Sequence, residues 1–111
     1  MAIQQAAALD RTFRALSDAT RRAMIRALAR GEARSASDLG RHFPSAQPTI
    51  SKHLRVLEEA GLVVRTVEGR VHRFRLRRQP LREAEGWLAR HQSFWTGAAA
   101  QLDRLLAESD R

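Results

Sequence analysis

Apolar residues recur every three or four positions along most of this chain, and this spacing predicts five helices. Asp18 suits the N-cap of the second helix, because its carboxylate can accept from free backbone N–H groups. Pro44 predicts the end of the third helix, since a proline disfavours helical geometry in the residue before it. The predicted helices cover residues 3–16, 18–30, 38–43, 45–60 and 81–107.

Between the last two helices, the pattern changes to the alternation that is typical of β-strands. Leu62–Val67 and Arg70–Leu76 are rich in β-branched and alternating residues, and Glu68-Gly69 between them predicts a hairpin turn. The pattern leaves the pairing register open. A hairpin with one apolar face and a basic edge is typical of a wing, and we use that name for residues 62–76.

The stretch from Ser45 to Leu57 combines an apolar face with a polar face that carries no acidic residue. Ile50, Leu54 and Leu57 have the spacing of a buried helix face. Ser45 is the predicted N-cap, and Pro48 falls in the first turn, where its missing N–H costs little. The outer face suits the edges of bases in a DNA major groove, although an ordinary amphipathic surface helix has the same pattern.

Composition narrows the class of protein. The chain has 111 residues, a net charge of +8 and no cysteine, which fits one soluble domain without disulfides or thiolate chemistry. Residues 1–79 carry a net charge of +9 and residues 80–111 carry −1, so we expect the first part to face a polyanion and the tail to face protein. Neither a membrane span nor a secretory leader is evident, and we expect a cytoplasmic protein with no membrane partner.

The last predicted helix, 81–107, is too long to be covered by so small a domain. Its apolar stripe needs a second surface, and a symmetric partner chain would provide one, with helix 3–16 packed beside it. An apolar effector pocket among the aromatic residues is the alternative. The predicted interface residues are Ile3, Phe13, Trp87, His91, Phe94, Trp95 and Leu102.

Two motifs resemble those of the ArsR/SmtB family of bacterial winged-helix repressors. Residues 15–22 read ALSDATRR, which is similar to the family's ALSDPTRR, and residues 47–63 read QPTISKHLRVLEEAGLV, which is similar to its QPTVSRHLKVLREAGLV. Glu68-Gly69-Arg70 matches the family's wing turn. The resemblance covers residues 9–78 well and the last helix only in kind. It implies a mainly α fold with a small β-hairpin: a dimeric winged helix-turn-helix in which residues 38–60 form the helix-turn-helix.

The resemblance also implies a function and a set of contacts. We expect a homodimeric repressor that binds double-stranded DNA at a near-palindromic operator, with residues 3–16 and 81–107 as dimerisation helices. A winged-helix interaction module that has lost DNA binding is the alternative. His53 has a second placement, at the edge of the core. The predicted DNA contacts are Gln47, Pro48, Thr49, Ser51, Lys52, His53 and Arg55 on the helix, and Arg70 and Arg73 on the wing.

Metal sensing and catalysis are not expected. Thiol sensors of the family carry cysteines that this chain lacks, and His91 stands without the histidine spacing of a zinc site. We therefore predict no metal and no cofactor. The chain has no glycine-rich phosphate loop, no cysteine nucleophile and no carboxylate pair with the spacing of a catalytic site, so it is not expected to be an enzyme. A small-molecule effector and a ligand-free repressor are both compatible with the sequence.

Overall fold

The computed structural model describes residues 2–44 and 46–109, and in that part of the chain six helices surround one small antiparallel sheet. The predicted cap Ser45 lies outside the described residues. In chain order the elements are α1 (Ala2–Leu16), α2 (Ala19–Leu28), β1 (Arg34–Ser35), α3 (Ala36–His42), α4 (Gln47–Glu59), β2 (Val63–Glu68), β3 (Val71–Leu76), α5 (Gln79–Arg90) and α6 (Gln92–Ser109).

The core lies where α2, α3 and α4 meet the inner face of the sheet. Large apolar side chains from these elements are 0–3% exposed, and burying each contributes about 1.5–3 kcal/mol to folding. The apolar side of α4 is therefore buried in the core, and the opposite side of the helix is exposed. The core residues with this burial are Met24, Leu28, Leu39, Ile50, Leu54, Leu57, Leu62 and Phe74.

Local capping explains where the helices begin. The Asp18 carboxylate accepts from the Arg21 backbone N–H at 3.0 Å and caps α2, as predicted. Ser35 caps α3 in a capping box, in which its hydroxyl accepts from the Asp38 N–H and the Asp38 carboxylate accepts from the Ser35 N–H. The N-cap of α4 is Ala46, which makes no side-chain hydrogen bond. Gly61, with φ +73°, follows α4 and turns the chain into the wing.

The wing is an antiparallel hairpin of β2 and β3, paired from Val63 with Leu76 to Glu68 with Val71. Gly69, with φ +61°, and Arg70 form the turn, one residue later than the sequence predicted. The two-residue strand β1 pairs with the other edge of β3 and gives the sheet order β1-β3-β2. This third strand was not predicted.

The prediction of one helix over residues 81–107 is wrong, because the helix breaks at His91. His91 has φ −107° and ψ 13°, and its Nδ1–H donates to the Trp87 carbonyl at 2.7 Å, which satisfies an acceptor at the end of α5. Before the break, α5 packs on α1, where the rings of Phe13 and Trp87 meet edge to face at 6.1 Å. After the break, α6 has no buried residue.

The projecting α6 makes the molecule long. The radius of gyration is 18.2 Å, whereas a compact chain of this size has about 13 Å. The longest dimension is 65 Å.

Candidate nucleic-acid interface

The outer face of α4 is exposed and carries hydrogen-bonding and cationic side chains. Beneath it, Ile50, Leu54 and Leu57 are 0–1% exposed, so the face is held on a rigid support. The first acidic residue of the helix is Glu58, near its end. Six of the seven helix residues predicted to contact DNA are exposed: Gln47, Pro48, Thr49, Ser51, Lys52 and Arg55.

Gln47, in the first turn of α4, lies over α3. A Cβ placed on Gly40 would overlap the Gln47 side-chain amide nitrogen, so the absence of a side chain at position 40 makes room for this amide. This contact could not be predicted from the sequence, because position 40 has the pattern of an ordinary helix position. Gly40 therefore belongs to the environment of the first predicted base contact.

His53 is turned away from the exposed face. Its side chain is 17% exposed, and its Nδ1 lies 3.2 Å from Arg21 Nη1 and 3.9 Å from Asp18 Oδ2. A guanidinium only donates, so the ring nitrogen that faces Arg21 accepts and the ring proton is on Nε2. This is the second of the two placements that the sequence left open for His53, at the edge of the core.

The two predicted wing residues have different surroundings. Arg70 is exposed in the turn at the tip. Arg73 is half-buried in the middle of β3, and its Nε lies 3.8 Å from the Glu68 carboxylate. Arg70 is therefore free to meet a phosphate, whereas Arg73 would first have to leave a carboxylate.

A bidentate ion pair fastens the wing to α4. Arg65 donates through Nη2 and Nε to the two carboxylate oxygens of Glu58, at 2.8 and 3.1 Å. Its Nη1 donates to His72 Nδ1 at 3.2 Å, and its guanidinium lies 5.0 Å from the centre of the Phe74 ring. Arg65 therefore joins the hairpin to α4, a contact that the sequence analysis missed because the partners come from different elements.

A cleft of about 550 Å³ separates α4 from the wing. Arg55 lines it from α4, Arg65 and Arg70 line it from the hairpin, and Ser35 and Ser37 line it from the start of α3. Its walls thus combine hydroxyl groups with three arginines, of which Arg65 is already paired with Glu58. This chemistry suits a phosphate backbone.

Two carboxylates near this surface stay ionised more readily than usual. The pKa of Asp18 is lowered, chiefly by the hydrogen bond from the Arg21 backbone N–H, with a smaller contribution from the Arg21 side chain. The pKa of Asp38 is lowered, chiefly by the hydrogen bond from the Ser35 backbone N–H. In both cases a backbone N–H near the start of a helix donates to the carboxylate and stabilises its ionised form.

The predicted interface residues fall into two groups. Phe13 and Trp87 are half-buried against each other between α1 and α5. The others are exposed, and His91 also stacks on Trp87 with ring centres 4.4 Å apart. The exposed fractions of the four largest apolar side chains are 85% for Ile3, 64% for Phe94, 47% for Trp95 and 56% for Leu102.

A second cleft, of about 430 Å³, lies between α1 and α5. Trp87 lines it together with Arg82 and Arg90, whereas Phe94 and Trp95 do not. Of Trp87, Phe94 and Trp95, only Trp87 therefore lines this cleft.

Across residues 2–44 and 46–109, no group of three or more histidine, aspartate or glutamate side chains is placed to hold a metal ion. In the same ranges, no helix is long and apolar enough to cross a membrane.

Comparisons with known proteins identify the family. A family model described as a helix-turn-helix domain matches residues 16–66. The HTH-type transcriptional regulator Rv2034 of Mycobacterium tuberculosis is 44% identical over 54 residues, which cover 49% of this chain and only 50% of that protein. The transcriptional repressor SdpR of Bacillus subtilis is 30% identical over 80 residues, which cover 72% of this chain and 88% of that protein.

A solved structure agrees with these matches. The crystal structure of an ArsR family transcriptional regulator is similar with a TM-score of 0.73 and 36% identity, and the match covers 80% of this chain and 91% of that chain. The resemblance found in the sequence motifs is thereby confirmed, as is the winged helix-turn-helix fold. This chain belongs to the ArsR family of winged helix-turn-helix transcriptional regulators.

Proposed function

We propose that this chain is a homodimeric, sequence-specific DNA-binding repressor that acts in the cytoplasm, with α4 as its recognition helix. The observation that supports this most directly is the exposed outer face of α4, which is free of acidic residues as far as Glu58, above a fully buried face. Such a helix can enter a major groove without repacking the core. An interaction module that has lost DNA binding is not favoured by the regulators to which the chain is similar.

The proposed contacts follow from exposure and chemistry. Gln47, Thr49 and Ser51 would reach base edges, and Pro48 would contact thymine methyl groups. Lys52 and Arg55 would reach bases or phosphates, and Arg70 would reach the backbone or the adjacent minor groove. Arg73 stays a weaker proposal because Glu68 already faces it.

The proposed dimer is formed by α6, with α1 beside it. A helix with several large exposed apolar side chains and no buried residue needs a covering surface, and the same helix of a second chain is self-complementary. Such a dimer would place two recognition helices about 34–36 Å apart on a near-palindromic operator. Repression would then follow because the bound dimer occupies promoter DNA. The name of the relative SdpR, a transcriptional repressor, supports repression over activation.

The test is a binding titration with two duplexes: one selected by the protein from a random-sequence pool, and a scrambled duplex of the same composition. We expect the selected duplex to bind at least about 1,000-fold more tightly, and both affinities to fall steeply as salt rises from about 50 mM to about 200 mM. Equal affinity for the two duplexes would refute sequence-specific recognition. A flat salt response would refute the phosphate contacts.

One variant addresses the base contacts directly. We expect Gln47→Ala to weaken binding to the selected duplex by about 1–3 kcal/mol and to leave binding to the scrambled duplex unchanged. Gln79→Ala, which replaces an exposed glutamine at the start of α5, is the matched control and should change neither affinity. A uniform loss for Gln47→Ala on both duplexes would show that Gln47 does not read bases.

A further inference from the structure

Arg21 joins the end of α1 to the recognition helix. Its Nε donates to the Ala15 carbonyl at 2.7 Å, its Nη2 donates to the Arg14 carbonyl at 3.2 Å, and its Nη1 donates to His53 Nδ1 at 3.2 Å. The guanidinium is planar, so these donors have a fixed mutual geometry. One side chain of α2 therefore ties the C-terminal end of α1 to the middle of α4.

His53 takes part in this connection with its ring and not with its backbone. The side chain is 17% exposed, whereas the flanking Lys52 is exposed on the outer face of the helix. Because Nδ1 accepts from Arg21, its lone pair is not available to a DNA donor. The Asp18 carboxylate lies 3.9 Å from the same nitrogen, so two residues of the chain itself face this side of the ring.

We propose that His53 is a positioning residue and not a DNA contact, and that its bond with Arg21 sets the angle of α4 relative to α1. This inference rests on the proposed function, in which α4 reads DNA and α1 lies beside the dimer interface. Two recognition helices must enter successive grooves together, so their angle to the interface decides whether both fit. Through the contacts of Arg21, a change in the position of α1 changes the orientation of the exposed face of α4.

The test is a double-mutant cycle on affinity for the selected duplex, using Arg21→Lys, His53→Leu and the double variant. The lysine keeps the charge but cannot make the three bonds at once. We expect each single variant to lose about fivefold to tenfold in affinity, and the double variant to lose no more than the larger single loss. If the two losses multiply, His53 acts independently of Arg21, and the inference is overturned.

The neighbouring arginine provides a matched control. Arg22 Nη1 donates to the Leu16 carbonyl at 2.7 Å, at the same end of α1, and it has no hydrogen bond with His53. Any loss from Arg22→Lys should therefore multiply with the loss from His53→Leu. Equal coupling of both arginines to His53 would show general destabilisation and would count against a specific link.

A conservative replacement separates positioning from simple packing. His53→Asn places an amide oxygen near the position of Nδ1, where it can still accept from Arg21. We expect His53→Asn to bind the selected duplex within about twofold of the wild-type chain, while His53→Leu does not. This comparison decides the matter even if Arg21→Lys fails to fold, and equal losses for the two His53 variants would overturn the inference. If the wild-type chain does not distinguish the selected duplex from the scrambled one, the proposed function fails as well.

Discussion

Gly40 precedes α4 and Gly61 follows it, and different features of the structure constrain the two glycines. Gly61 has φ +73°, a backbone conformation that costs an L-residue about 1–2 kcal/mol. Gly40 has an ordinary helical conformation, and its missing side chain leaves room for the Gln47 amide. Gly61 is favoured by the backbone conformation at its position, whereas the space at Gly40 is limited only by the flexible end of the Gln47 side chain.

These two residues give the first prediction. Gly61→Ala should lower the free energy of unfolding by about 1–2 kcal/mol. Gly40→Ala should leave it unchanged or raise it by up to about 1 kcal/mol, because alanine favours the helix and the end of the Gln47 side chain can move aside. Urea denaturation of both variants beside the wild type measures the difference. A loss of stability for Gly40→Ala as large as that for Gly61→Ala would mean that the contact with Gln47 is rigid.

Asp18 gives the second prediction, which concerns pH. Because the pKa of Asp18 is lowered in the folded chain, its contribution to stability is present above the unfolded value near 3.8 and is lost as pH falls through the folded value. The melting temperature of the wild type should therefore exceed that of Asp18→Asn at neutral pH, and the gap should narrow below about pH 4. Asp38→Asn should follow the same course, since a backbone N–H lowers its pKa too. A gap that stays constant from pH 7 to about pH 2 would contradict this linkage.

At the scale of elements, local signals made the centre of the chain predictable. The spacing of Ile50, Leu54 and Leu57 predicted the buried face of α4, and all three are 0–1% exposed. Asp18 predicted the start of α2 because a cap acts within three residues. The wing strands were predicted within one residue of their observed ends.

Features that depend on distant partners were not predictable. Arg34-Ser35 forms a strand only because β3 offers an edge, and two residues carry no pattern of their own. The break at His91 follows neither a proline nor a glycine, while Gly86 and Gly97 lie inside helices. The placement of His53 depends on Arg21, which is 32 positions away in the sequence. The buried face of α4 was thus predictable from local spacing, whereas the contacts that Arg21 and Arg65 make with distant elements were not.

The wing gives the third prediction. Arg70→Ala should weaken binding to all duplexes about equally and reduce the salt dependence by about one phosphate contact. Arg73→Ala should have a smaller effect, because the Glu68 carboxylate already lies 3.8 Å from its Nε. Salt titrations of the two variants make the comparison. A larger loss for Arg73→Ala would place the backbone contact in the middle of the strand.

At the scale of the whole molecule, the core and the tail differ in how they are covered. The core beneath α4 is completed within one chain, whereas α6 has no buried residue and exposes Phe94, Trp95 and Leu102. The net charge shows the same division, with +9 in residues 1–79 and −1 in residues 80–111. The basic residues 1–79 are suited to a polyanion, and the nearly neutral, apolar residues 80–111 are suited to a protein partner.

This division gives the fourth prediction. Trp95→Glu should convert the proposed dimer into monomers, because a carboxylate in the centre of an apolar interface loses its hydration without a partner. Val67→Glu, which replaces an apolar wing residue that is 56% exposed, is the matched control and should stay dimeric. Sedimentation equilibrium measures the mass directly. A dimer that survives Trp95→Glu would mean that the chains associate through another surface.

The 65 Å length of the chain also affects how its mass must be measured. A rod-like particle diffuses more slowly than a sphere of equal mass, so gel filtration against spherical standards would assign even a single chain too large a molecular weight. An elution volume that corresponds to twice the 12.5 kDa mass of one chain would therefore be compatible with one elongated copy or with two. Light scattering during elution, which does not depend on shape calibration, would tell the two species apart.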